Sequence, residues 1–190
     1  MIEKSNSSQT FTQNDFTKTP VAGIEFDDCE FVDCNFSGSN LSDTDFLECR
    51  FVNCNFVMAK TSNTGFKDAI FRGCKLMGLD FSVCSDFLFQ VNFEQCQLDY
   101  ALFGKKKMKK TRFVNCSVKE ADFSETILSE ANFEKSDLSG ASFQYCNLEK
   151  TDFRSAINFT IDPEHNRMKG ARFSAYSLAG LLGKYGLNIE

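Results

Sequence analysis

The sequence predicts an all-β fold, a coil of short extended segments that turns a corner every five residues and stacks on itself. Three observations predict it. The chain has 22 Phe and no Trp in 190 residues, and 19 of those Phe fall on two five-residue grids. A small side chain stands two residues before each grid position, and the other three places of each pentad are mostly polar. Finally, a period of five matches neither the 3.6 of an α-helix nor the 2 of a flat strand. Internal repetition on this scale decides the architecture before local propensities do.

Residues 1–23 are expected to form an N-terminal segment and cap. Met1–Thr10 is polar and lacks the apolar run of a secretory signal. No stretch of the chain approaches the roughly 20 apolar residues of a membrane span. These features give the expectation of a cytoplasmic protein without membrane contact. Nine cysteines in such a chain are expected as free thiols.

Residues 24–156 carry the repeat. The first grid holds Phe11, Phe16, Phe26, Phe31, Phe36, Phe46, Phe51, Phe56, Phe66, Phe71 and Phe81, with Val21, Leu41, Thr61 and Leu76 between them. The second, displaced by two residues, runs from Phe93 to Phe153 and alternates Phe with Leu, Val or Met. That alternation requires an even number of sides per coil. The register changes within 82–92, where two residues must leave the coil or one side must bulge. Phe87 and Phe89 have no assigned inward slot there. All nine cysteines fit the small-residue slot, Cys84 least securely, and Ala, Ser or Thr fill it elsewhere.

Residues 157–190 are expected as an interrupted last coil and a cap. Pro163 cannot donate a ladder hydrogen bond. Ala171 and Phe173 resume the pattern, and Leu178, Leu181, Leu182 and Tyr185 follow at helical spacings. Gly186 is placed to end that helix.

Runs such as Ala121-Asp-Phe-Ser-Glu, Ala131-Asn-Phe-Glu-Lys and Thr151-Asp-Phe-Arg-Ser closely resemble the pentapeptide-repeat family, with its A-(D/N)-(L/F)-x-x signature. The resemblance implies a right-handed quadrilateral β-helix with four pentads per coil and a short C-terminal capping helix. Four sides stack Phe31, Phe51 and Phe71, then Phe93, Phe113, Phe133 and Phe153, and also Cys34, Cys54 and Cys74. At about 4.8 Å per coil, the patterned region makes a rod of roughly 30 Å. The tail resembles that of the quinolone-resistance and microcin-immunity members, which protect type II topoisomerases and dimerise through their C-terminal ends. Two readings of Phe173, Leu178, Leu181, Leu182 and Tyr185 therefore stand: cap plus homodimer interface, or cap alone. Loops leaving the coil matter for activity in those relatives, but they are longer than 82–92, which reads as a short structural bulge.

No catalytic, cofactor or metal site is expected. His165 is the only histidine, so neither a His-paired nucleophile nor a two-His metal site can be built within one chain. It reads as a surface-loop residue. The Cys-x4-Cys spacing equals the repeat length and reads as buried filler. The glycines are scattered, with no phosphate-binding loop.

Charge is unevenly spread. Residues 23–104 carry a net charge of −8 and residues 105–190 a net charge of +3. Asp27, Asp28, Glu30, Asp33, Asp43, Asp45 and Glu48 form the candidate acidic partner surface. One reading is a solvated face that blunts sheet edges. The other is a DNA-like potential presented to a DNA-binding protein, with DNA gyrase or topoisomerase IV as the partner the resemblance implies. Lys105–Lys110 contains five lysines and breaks the acidity, yet direct nucleic-acid binding is not expected of an acidic chain without exposed aromatic interleaving. Lys106 occupies an inward slot, so either the coil bulges or the side chain snorkels out. The expected function is a non-catalytic interaction module, with a structural or scaffolding protein as the alternative.

Overall fold

The computed structural model describes residues 3–188. Side 1 of the coil is a parallel sheet of β1 (Ser5–Ser7), β3 (Glu25–Asp27), β5 (Asp45–Leu47) and β7 (Gly65–Lys67). Side 2 is a second parallel sheet of β2 (Thr10–Thr12), β4 (Glu30–Val32), β6 (Arg50–Val52), β8 (Ala69–Arg72), β9 (Val91–Glu94) and β10 (Phe113–Val114). Sides 3 and 4 are held by single parallel bridges, such as Asn35 with Asn55 and Asp122 with Ser142. Partners are 20 residues apart, as Phe31 is from Phe51, except at one coil where Phe71 pairs with Phe93. The result is the right-handed quadrilateral β-helix.

The even-sided core follows the sequence pattern. On side 2, Phe11, Phe31, Phe51, Phe71, Phe93, Phe113, Phe133, Phe153 and Phe173 form one unbroken column. Successive rings are 4.7–5.4 Å apart with planes within 22°. Opposite sides meet edge to face across the core, as Phe113 meets Phe123 at 90° and 5.7 Å, which suits the ring quadrupole. Above the register change, Phe occupies opposite sides 2 and 4, and Met108, Leu128 and Leu148 line side 1. Each fully buried Phe contributes roughly 1.5–3 kcal/mol of transfer free energy.

The small-residue slot has a polar task as well as a steric one. Cys54 Sγ donates to the Phe31 carbonyl one coil below at 3.3 Å, and Thr64 Oγ1 donates to the Leu41 carbonyl at 2.7 Å. A short side chain with one donor fits where a longer one would displace the coil. Cys34, Cys54 and Cys74 stack as expected, and Cys96 and Cys116 extend the column. All nine cysteines are free and buried.

Corners are built from left-handed residues. Asp28, Asp33, Asp43, Glu48 and Asp68 have φ between 49° and 60°, a region that Asp and Asn tolerate through local hydrogen bonding.

One boundary differs from the sequence expectation. The strands β1 and β2 already pair with β3 and β4, so the first coil lies within the segment expected as an N-terminal cap. At the other end, Ala175–Leu181 and Gly183–Tyr185 are 3₁₀ rather than α-helical. Ile161 N–H donates to the Gly180 carbonyl at 2.9 Å, and a Cβ at Gly180 would lie 2.3 Å from the Phe159 carbonyl oxygen. This close docking onto the coil end fixes the segment locally, and Gly186 ends it in the left-handed region at φ 59°.

The register change is a bulge on side 1. Ser85 N–H reaches the Thr64 carbonyl and Gln90 N–H reaches the Phe66 carbonyl, both at 2.9 Å, so the chain between them must arch outward. Phe87 and Leu88 project, 68% and 64% exposed. Phe89, expected to lack a slot, turns inward and is buried.

Candidate interaction surface

Lys106 and the bulge form one unit. The Lys106 side chain is only 3% exposed, so it does not snorkel to solvent. Its Nζ donates to the Cys84 carbonyl at 2.6 Å and to Asp86 Oδ1 at 2.7 Å, and it lies 5.2 Å from the centre of the Phe89 ring. Thr holds the same column at positions 64 and 126, whereas the longer lysine at 106 reaches the arched segment and supplies its donors. Burial pushes the neighbouring Cys84 thiol up to about 12, against the pull of the Lys106 ammonium.

Six of the other thiols are pushed in the same direction, whereas hydrogen bonds from neighbouring sulfurs pull Cys54 and Cys96 down. Burial pushes Cys49 up to about 12. In the five-thiol column, contact with the adjoining sulfur together with burial raises Cys34, Cys74 and Cys116. Protonated, buried thiols are poor nucleophiles. No group of three or more His, Cys, Asp or Glu among the described residues could hold a metal ion. His165 sits in its surface loop, 2.9 Å from Asp162 and 59% exposed. A hollow of about 440 Å³ beside the bulge is polar, with Lys105, Asp122 and Glu125 on its walls, and lacks the apolar lining of small-molecule sites.

The acidic residues do not form one face. Asp28 and Glu48 lie on the corner between sides 1 and 2, and Asp27 and Asp45 lie on side 1 beside them. Asp68 continues that corner; it was missed in the sequence, although its place 20 residues beyond Glu48 marks it. Glu30 is on side 2. Asp33 occupies the next corner, where Asn53 Nδ2 donates to it at 3.2 Å. Asp43 occupies the corner before side 1, where it accepts from Asn63 at 2.8 Å. Basic neighbours offset part of the charge: Lys67 is 2.7 Å from Asp45 and Arg50 is 3.8 Å from Asp28.

Lys105 and Lys110 occupy the two corners of side 1 just above the bulge, with Lys107 and Lys109 between them. Lys105 pairs with Glu125 at 3.9 Å and Lys109 with Glu130 at 3.2 Å. Side 1 is thus acidic below the bulge and basic immediately above it.

The tail divides its candidates. Phe173 stacks on Phe153 at 5.2 Å, and Leu181 packs partly buried against the core; these two cap the coil. Leu178, Leu182 and Tyr185 project, 45%, 37% and 55% exposed. Lys184 anchors the segment to Asp162 and Glu164 at 2.9 and 2.6 Å. Among the described residues no helix is long and apolar enough to cross a membrane.

Among solved structures, the chain is similar to a trypsin-treated form of QnrB1, described as a plasmid-mediated fluoroquinolone resistance protein. The two share 24% identity over 98% of this chain and 91% of that one, with a TM-score of 0.51. It also matches HetL, a pentapeptide repeat protein involved in heterocyst differentiation regulation in the cyanobacterium Nostoc sp. strain PCC 7120. There the identity is 16% over 90% of this chain and 88% of that one, with a TM-score of 0.41. No curated protein matches the sequence. The profile of the pentapeptide repeat region matches residues 24–103, 44–123 and 87–158. With stacked pentads, small-residue slots and a four-sided core, the chain belongs to the pentapeptide-repeat family.

Proposed function

We propose that this protein works by binding another protein, without catalysis, and that its partner is a type II topoisomerase, DNA gyrase or topoisomerase IV. The observation that carries the reading is the acidic ladder Asp28–Glu48–Asp68, backed by Asp27 and Asp45. It repeats a carboxylate once per coil, about 4.8 Å apart, along a straight edge. A surface of that kind steers toward a DNA-binding protein and weakens with salt. The fluoroquinolone resistance described for QnrB1 agrees in kind, and the reading also takes the protein to be cytoplasmic. Homodimerisation through Leu178, Leu182 and Tyr185 belongs to the same proposal.

Added to a gyrase supercoiling reaction inhibited by a quinolone, the protein is expected to restore supercoiling, and E48K/D68K is expected to weaken that rescue. Absence of both rescue and low-salt gyrase binding would sink the reading. The basic band at Lys107 and Lys109 favours a second reading, a scaffold for a partner of mixed charge. Binding of a non-topoisomerase partner that is lost with K107E/K109E would select it.

A further inference from the structure

The corner between sides 3 and 4 differs from the other three. Gly38, Met58, Gly78, Tyr100, Glu120 and Gly140 follow one another up it, all with left-handed backbones. Gly78 N–H bonds to the Asp99 carbonyl and Tyr100 N–H to the Lys119 carbonyl, so the residues stack coil on coil. Met58 and Tyr100 are 77% and 60% exposed, and Met77 and Leu102 add apolar surface beside them. Between the two projecting side chains the ridge has a notch: nothing lies within 4 Å of where a Gly78 side chain would begin. Lys60 lies beside Met58, and Glu120 follows Tyr100. Neither takes part in any ion pair among the described residues.

We propose that this ridge pairs two copies of the chain side by side and antiparallel. A two-fold axis between Gly78 and Tyr100 seats each Tyr100 ring in the notch at Gly78 of the second copy. The same axis brings the Met58 corner, with Lys60 beside it on side 4, to the level of Glu120 and Asp122 of the second copy, because they lie equal numbers of coil steps from it on either side. Asp122, on side 4 next to Glu120, adds to the negative charge that Lys60 meets. Gly38, with nothing within 4 Å of where its side chain would begin, comes opposite Gly140, over which the Glu120 carboxylate lies. The contact is isologous, so every favourable pair occurs twice.

Apolar area sits at the centre and opposite charges flank it, the arrangement that gives register and salt dependence. A single ridge buries less than the roughly 800 Å² per partner of a standard interface. The dimer is therefore concentration-dependent. It uses no residue of the C-terminal tail and does not rest on the topoisomerase reading.

Sedimentation of the full chain in low salt, up to about 100 µM, tests the pairing. With the tail contact removed by Leu182→Asp, the chain is still expected to dimerise, and adding Tyr100→Asp or Glu120→Lys is expected to raise that dissociation constant by about tenfold or more. K60E/E120K, which exchanges the two charges, is expected to recover about threefold or more over E120K. All four positions are at the surface, and thermal melts confirm that the variants fold. A monomer at every concentration overturns the proposal. So does a dimer that ignores Y100D and E120K but is lost with Leu182→Asp, or a charge exchange that recovers nothing.

Discussion

At the scale of single residues, the position of a side chain on the coil decides its worth more than its type does. Phe113 touches rings above and below on its own side and two rings of the opposite side, at 4.7–5.9 Å. Phe113→Ala is expected to destabilise the fold by about 3–5 kcal/mol, the loss typical of a buried aromatic. Phe87, the same residue type on the bulge, is expected to cost under about 0.5 kcal/mol when replaced by Ala. Paired chemical-denaturation curves followed by far-UV circular dichroism check the contrast, and equal losses would contradict it. The grid made Phe113 legible as core from the sequence alone. Phe89 was not legible, because its burial depends on a chain reversal that no pentad spacing encodes. Four of the seven candidate acidic residues, Asp28, Asp33, Asp43 and Glu48, turn out to be left-handed corner residues. Their position has a backbone reason that a charge count does not reveal.

At the scale of elements, the bulge and Lys106 are coupled across one coil. Removing the ammonium strands the Cys84 carbonyl, whereas Asp86, with a side chain 79% exposed, returns to water. Lys106→Met is therefore expected to cost about 1–3 kcal/mol, the range for a buried acceptor left unsatisfied. It should also speed amide exchange at 84–90 while exchange at β5 and β6 stays unchanged. Unchanged exchange in the bulge would show that Lys106 does not hold it. From sequence, the two-residue slip was visible and Lys106 was visibly out of place, but their connection was not. It needs the 20-residue stacking of 86 beneath 106, which follows only once the coil is known to have four sides. The tail shows the opposite limit. Helical spacing at Leu178–Tyr185 found the segment, but docking at Gly180 against Phe159 makes it 3₁₀, a tertiary effect that periodicity cannot carry.

At the scale of the whole molecule, each coil touches only its neighbours, so stability accumulates along the axis. One column of nine rings crosses the register change without a break, which is how a 22-residue coil is tolerated among 20-residue ones. This has a consequence for how the chain can change its length. Removal of residues 114–133 joins Phe113 to Glu134 and lets every side find its own kind of residue again. The product is expected to fold, melt cooperatively and measure about 4.8 Å shorter by small-angle scattering. Removal of only 114–118 sets phenylalanines over aliphatic columns and is expected to lower the melting temperature far more, though it deletes fewer residues. A more stable five-residue deletion would contradict this. The rod therefore grows and shrinks in whole coils, so duplication of one coil lengthens it without a new core. The coil with the bulge is the one unit that such duplication could not copy without also copying its lysine.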